Sequence, residues 1–237
     1  MDKQLFFPEI LLAEFLLKYF YDDNWYKLPG SMKDILAKEI KETEIKSEVK
    51  NLIHNGNVYI GENCTFGDNV VIDGPSYIDD DCEIATGAYI RAGSYIGKGC
   101  SVGHAAETKN LIMMNGSKIS NHTFAGDSIL GVKARLGGHS ELANRRFDQE
   151  AIDIVINDSV FHTGLDKYGA IIGNGARLGG GVFTSPGTAI GFRTFVSTGT
   201  KIGGYIPAEK FVKTEDNIKI LDNKFKGELH NKNRIYE

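Results

Sequence analysis

With 237 residues and a formal net charge of −4, the chain lacks the basic excess with which a nucleic-acid binder neutralises phosphates. A hydrophobic fraction of 41% suffices for a packed core, yet no apolar run approaches the roughly eighteen residues needed to span a bilayer. The start, MDKQLFFPEILLAEF, carries acidic residues and no small-residue cleavage site, so the sequence reads as a soluble cytoplasmic protein with neither nucleic acid nor membrane as partner.

Residues 1–55 read as a helical N-terminal cap. Ile10, Ala13, Leu17 and Phe20 make one stripe at helical spacing, and Ile35, Ile40 and Ile45 continue it among charged neighbours. A second helix is expected to open at Ser31, with Asp34 three positions on, after Pro29-Gly30 as a breaker. Phe15, Tyr19, Phe20 and Tyr21 make the first helix aromatic, and it is expected to pack on the first coil of the repeat region that begins at residue 57, closing its open end.

From residue 57 to 206 the period changes. A large apolar residue recurs every six positions at Ile60, Phe66, Ile72, Ile78, Ile84, Ile90, Ile96 and Val102. A ladder of mostly small residues runs four positions later, through Cys64, Val70, Ser76, Cys82, Ala88, Ser94, Cys100 and Ala106. Two coupled ladders of six specify a triangular coil of about eighteen residues per turn, each unit one short strand, stacked at the parallel-strand spacing of roughly 4.8 Å. Glycine at 28 residues and proline at 5 fit many tight corners. Cys64, Cys82 and Cys100 are spaced by eighteen, which puts them one above another inside. Such a column offers no tetrahedral set and no C-x-x-C spacing, so they read as buried free thiols without metal or disulfide.

The period breaks twice. The ladder passes through Ile112, meets Lys118, and resumes at Phe124, Leu130, Leu136 and Leu142; a polar residue at an interior position implies local distortion. The stretch 145–168 abandons the period before Ile172, Leu178, Thr184, Ile190, Val196 and Ile202 restore it. It is long enough to leave the prism as an arm, and its AIDIVIND run favours an ordered hairpin. Residues 207–237 form a charged C-terminal tail.

IRAG at 90 to 93, VGHAAETKN at 102 to 110, SKISNHTFAGDSILG at 117 to 131, ANRRFD at 143 to 148 and TGLDKYGAIIGNGARLGGG at 163 to 181 carry a family resemblance. They resemble the hexapeptide-repeat acetyltransferase domain of bifunctional UDP-N-acetylglucosamine pyrophosphorylase/glucosamine-1-phosphate N-acetyltransferases, and its archaeal sugar-1-phosphate nucleotidylyltransferase relatives. The resemblance covers about 57–206. It implies a mainly β fold, a left-handed parallel β-helix with a short N-terminal helical region. The family's nucleotidyltransferase domain is not represented in the 55 residues that precede the coils. The implied chemistry is acetyl transfer from acetyl-CoA, as co-substrate, to the amine of an amino-sugar 1-phosphate or nucleotide-linked amino sugar, by a homotrimer whose sites lie between neighbouring prisms.

Carried over position by position, the resemblance puts Arg91 on the phosphate-binding arginine, Lys109 on the lysine that contacts the sugar phosphate, and Asn144 on the substrate-contacting asparagine. Lys167 and Gly169 fall in the matching TGxxKxGA run, and Ser197 and Thr198 at the corner that meets the pantetheine arm. The departures are specific. The catalytic histidine aligns with Asn121, and His122 is displaced by one position, which on a strand turns a side chain to the other face. The following tyrosine is Phe124, an asparagine of the next coil is Arg135, and two lysines correspond to Glu150 and Asp153, whose charge would repel a phosphate. A one-residue rearrangement around Ser120 would return His122 to the site as the base, with Asn121 beside it. Two other readings stand alongside. His104 and His122, eighteen apart, resemble part of the zinc set of gamma-class carbonic anhydrase, although the H-x4-H pair is missing. A trimeric scaffold or sugar-nucleotide- or CoA-binding protein without activity fits the displaced histidine and lost lysines.

Overall fold

The structure, a computed structural model, describes residues 1–49, 52–215 and 221. Among these, strands of two or three residues stack into three parallel sheets, the faces of a triangular β-solenoid. In chain order within a coil, the first face runs from Ile53–Asn55 to Lys201–Ile202, the second from Glu44–Ile45 to Tyr205–Ile206, and the third from Thr65–Phe66 to Phe211–Val212. Ile45 therefore belongs to a strand rather than continuing a helix. Of the tail, 207–215 carries the last strand of the third face, while 216–220 and 222–237 lie outside the described residues.

The two ladders form the core. Ile60, Ile72, Ile78, Ile84, Ile90, Ile96 and Val102 are buried, as are Cys64, Val70, Ser76, Cys82, Ala88, Ser94, Cys100 and Ala106. Phe66, in the outermost strand of the third face, is half-buried. Each isoleucine removed from water contributes about 1.5–3 kcal/mol. All three cysteines are free, and their thiols donate to backbone carbonyls of the adjoining coil: Cys64 to Asp79, Cys82 to Gly97 and Cys100 to Met114, at 3.0–3.2 Å. Burial pushes the Cys100 thiol up to about 11.

The first break is a change in perimeter. Glu83 pairs with Ser101 at a separation of eighteen, but Ser101 pairs with Lys118, and Lys118 with Arg135, at seventeen. Two coils are one residue short, with both shortenings at the corner between the first and second faces, where Asn110 and Asp127 take φ of 44° and 49°. This corrects the reading of Lys118 as a polar interior residue: Ile119 is buried and Lys118 is exposed. Likewise Ala125 and Met113 fill the interior, Phe124 stands half-buried on the outer surface, and Ile112 faces outward from the second face.

That outward position is also apolar. Tyr59, Tyr77, Tyr95, Ile112, Ile129, Ile171, Ala189 and Tyr205 stand in register along the second face, where they build a second core with the N-terminal segment. The N-terminal segment climbs this face rather than closing the first coil as expected. The carbonyl of Leu5 accepts from Phe192 N, that of Phe6 from Asn174 N and that of Leu11 from Asn115 N; Phe15 then reaches Tyr77 at 5.2 Å between ring centroids. Helix α1 spans Glu14–Phe20 and buries Leu16 and Phe20. Helix α2 spans Leu28–Glu39, so Pro29 lies in its first turn, where a fixed φ and a missing N–H are tolerated, and does not break the helix before it. Lys27, not Ser31, is its N-cap, without a side-chain bond.

The long excursion forms the expected hairpin, Asp153–Ile156 against Ser159–His162. It folds back onto the same face instead of projecting: Ile152, Ile154 and Ile156 are buried in the second core, Phe161 meets Tyr26 at 5.9 Å, and Leu165 packs over Gly30. Two buried tyrosines there differ in their hydroxyls. Tyr95 accepts from Ala13 N at 2.7 Å, whereas the Tyr168 hydroxyl has no partner among the described residues. Tyr95→Phe should therefore cost about 1–2 kcal/mol in urea unfolding, because a backbone N–H is orphaned, while Tyr168→Phe should be neutral or stabilising. Equal losses in both would show that the hydroxyl contacts are not what distinguishes them.

Candidate active site

The corner between the first and second faces gathers one group of expected residues. Arg91 Nη1 lies 2.7 Å from Glu107 Oε1, and Lys109 Nζ lies 3.5 Å from Asp127 Oδ2. Asp127 is 2% exposed, and its carboxylate also accepts from Asn110 Nδ2 at 2.8 Å and from Asn144 Nδ2 at 2.6 Å. The short perimeter puts it there, since dropping a residue at each corner stacks Asp127 over Asn110 in left-handed backbone that Asn and Asp tolerate. The Phe124 ring and the Asn144 amide fill the space over Gly126, at 2.6 and 2.9 Å from where a Cβ would stand. Lys167 is half-buried and precedes Tyr168, whose N–H donates to Asn144 O.

The corner between the third and first faces holds the other group. Asn121 and His122 sit in a turn rather than on a strand, so strand alternation does not part them, and both line a cleft of about 610 Å³ with Glu83, Lys118, Arg135 and His139. Asn121 Oδ1 accepts from His104 N at 3.0 Å, the same bond between coils that Asn115 makes to Lys98 N and Asn174 to Val132 N. Its amide oxygen is thus engaged between coils while the residue lines the cleft. His122 is exposed at φ 53°, between His104 and His139, each 5.1 Å away between ring centroids. His104 is held by Nδ1 donating to Thr86 O.

Beyond His139 this corner loses its side chains. Gly137-Gly138 and Gly179-Gly180-Gly181 occupy it in successive coils, followed by Ser197, Thr198 and Gly199. A Cβ at Gly137 would stand 2.4 Å from the Gly179 carbonyl carbon, so the backbones pack too closely for any side chain there. Three coil spacings of roughly 4.8 Å place Thr198 about 14 Å along the edge from His122.

The structure therefore brings Arg91, Lys109, Phe124, Asn144 and Lys167 around one corner, and Asn121, His122, Ser197 and Thr198 along another. A three-residue strand separates the two corners, about 10 Å at roughly 3.3 Å per residue. Glu150 is exposed on the excursion, and Asp153 holds His162 at 3.0 Å. Sequence reasoning missed Asp127, Glu107 and His139. A spacing of seventeen from His122 to His139, and of sixteen from Arg91 to Glu107, hides both contacts from an eighteen-residue template. Asp127→Ala should cost about 2–3 kcal/mol, the scale for hydrogen bonds to a charged group, read by urea unfolding. A loss below about 0.5 kcal/mol, the scale of an exposed pair, would contradict the central role given to this carboxylate.

The family described as GMPPB C-terminal domain matches residues 72–185. The uncharacterized acetyltransferase YaiX of Escherichia coli O6:K15:H31 (strain 536 / UPEC) is 31% identical over 209 residues, 81% of this chain and 91% of its own length. The bifunctional protein GlmU of Methanococcus aeolicus is 32% identical over 117 residues, 49% of this chain and 28% of its own. Among solved structures, the UDP-N-acetylglucosamine acyltransferase of Francisella novicida aligns at 16% identity with a TM-score of 0.30, covering 71% of this chain and 64% of its own. The match to YaiX runs through nearly the whole of that protein, and the chain belongs to the hexapeptide-repeat acetyltransferase family that includes it.

Proposed function

We propose that the protein transfers an acetyl group from acetyl-CoA to the amine of a phosphorylated amino sugar, either a sugar 1-phosphate or a nucleotide-linked sugar, and works as a homotrimer. The observation that carries this reading is the edge on which two exposed imidazoles, His122 and His139 of the next coil, are followed by glycine backbone as far as Ser197 and Thr198. A corner bare of side chains leaves backbone N–H and C=O groups open to a slender arm lying along the solenoid. Its thioester end would then stand at His122.

In that pose the substrate nitrogen attacks the thioester carbonyl, a C–N bond forms and the C–S bond breaks. The nitrogen's proton passes to His122 and then to the departing thiolate. Imidazole is the side chain suited to that exchange near neutral pH. Asn121, its oxygen held by His104 N, offers amide N–H groups to the developing oxyanion.

Distance supports a site shared between copies. The amine and phosphate of an amino-sugar 1-phosphate lie on adjacent ring carbons, closer together than the two corners of one chain. Arg91 and Lys109 of one copy would serve the His122 edge of another. The second face is already covered by the N-terminal segment and hairpin, which leaves the first and third faces for the contact. The zinc-hydratase reading is less favoured: the H-x4-H pair is missing, and His104, half of the remaining pair, commits Nδ1 to Thr86 O.

His122→Ala should lower acetyl transfer to a panel of amino-sugar phosphates by a factor of about 10² or more, with Asn121→Ala losing less. Full activity in His122→Ala would remove the base. Arg91→Ala should weaken acceptor binding about tenfold, and Glu107→Gln, which frees Arg91, should tighten it. Acetyl-CoA binding without transfer to any acceptor in the panel would instead identify a binding protein or scaffold.

A further inference from the structure

The chain leaves each strand of the third face through one left-handed backbone position. From coil to coil that position holds Asn69, Gly87, Ala105, His122, His139, Gly181 and Gly199, at φ between 51° and 72°. Glycine takes such backbone without strain, whereas the Cβ of an L side chain crowds the following carbonyl oxygen. Imidazoles nevertheless fill it in two successive coils. Both are exposed and line the same cleft, with ring centroids 5.1 Å apart and planes 16° from parallel. His104 is anchored through Nδ1 to Thr86 O, but among the described residues no hydrogen bond or ion pair holds the ring of His122 or His139. Disfavoured backbone that presents an exposed and unanchored functional group marks a site more often than it serves packing.

We infer that His139 is a second catalytic residue, which protonates the departing sulfur while His122 takes the proton of the attacking amine. This role rests on the acetyl-transfer reading. An arm lying on the glycine corner runs from Thr198 past Gly180 and meets the coil of His139 before that of His122, one strand spacing of roughly 4.8 Å further on. In a thioester the sulfur ends the arm and the acyl carbon lies beyond it, so the sulfur falls beside His139 and the carbonyl and amine beside His122. Arg135 belongs to the coil of His139 and lines the same cleft, but a guanidinium does not give up its proton, which leaves the imidazole as the acid of that coil. The amine nitrogen attacks the carbonyl carbon and its proton passes to His122; the C–S bond then breaks and the sulfur takes a proton from His139. His139 enters the step protonated and leaves it neutral, His122 does the reverse, and exchange through solvent between the adjacent rings resets the pair. The proton lost by nitrogen thus reaches sulfur by way of a second ring, and no single imidazole has to serve both atoms.

Acetyl transfer by the full chain from two donors tests this. The alkyl thiolate of acetyl-CoA needs a proton as it leaves, whereas the thioester of acetate with 4-nitrothiophenol releases a stable anion. His139→Asn should lower kcat with acetyl-CoA by a factor of about 10² or more, and with the aryl thioester by less than about threefold. His122→Asn should lose about 10² or more with both donors, because the amine must shed its proton in either case. Asparagine already holds this backbone position at Asn69; His139→Gly, the residue of Gly181 and Gly199, replaces it if circular dichroism shows a lost β-sheet signal. Where the aryl thioester is too poor a donor to compare, free imidazole should restore acetyl-CoA turnover in His139→Gly, and pyrazole, of the same shape but unprotonated near neutral pH, should not. Equal losses with both donors, or rescue by both azoles or by neither, would make the second ring a structural element and overturn the inference. Undiminished acetyl-CoA turnover in His139→Asn defeats it alone and leaves the reaction standing, while no transfer from either donor by the unsubstituted chain to any amino-sugar phosphate defeats the reaction and this role together.

Discussion

Coil-to-coil register is the constraint on which everything else in this molecule depends. Each backbone N–H at a corner must find the carbonyl of the coil beside it, so the perimeter can change only where the corner geometry closes on fewer residues. The chain does this twice, at Asn110 and Asp127, where residues that tolerate left-handed backbone replace the glycine found at Gly93. Shortening there does two things at once. It advances the following strands by one residue, exposing Lys118 and burying Ile119, and it stacks a buried carboxylate where Lys109, Asn110 and Asn144 converge.

The core was legible because its period is strict: the residues at six-position intervals from Ile60 to Val102 face inward or pack against the core. The misreadings of which residues face the interior came from extending a period past a point where the perimeter changed. Phe124 looked interior because it continues a count of six; in fact Ala125 holds that place. His122 looked displaced because the alternation of a strand was applied to a turn. The covered second face did leave a signal, in Tyr59, Tyr77 and Tyr95, eighteen apart at the position before each inward residue. Three aromatic residues pointing out of a prism require a cover, and the aromatic N-terminus supplies it. What no count could supply was the direction of that cover, along the face rather than over the end. It is set by single bonds such as those of Asn174 to Phe6 and Glu9.

The covering has a consequence for assembly. A triangular prism offers three faces to neighbours, and here one is spent inside the molecule on the helices and the hairpin. The edge opposite that closed face is the one that carries His104, His122, His139 and the glycine corner. Contacts with a second copy through the first and third faces would therefore meet along this edge, which is also where a long thin ligand finds exposed backbone.

The cations of the corner between the first and second faces and those of the third face are of two chemical kinds. Arg91 and Lys109 each carry a carboxylate partner, so an anionic ligand can bind them only by competing with Glu107 or Asp127. Such competition weakens binding but makes it selective, because a ligand that offers the displaced carboxylate a donor of its own recovers part of the loss. An amino sugar has hydroxyl and ammonium donors beside its phosphate, and inorganic phosphate at neutral pH has far fewer. Among the described residues Lys118, Arg135 and Arg177 have no carboxylate within 4.0 Å, so no such competitor stands in the way there. The two sets of cations thus differ in what an anion must displace to reach them.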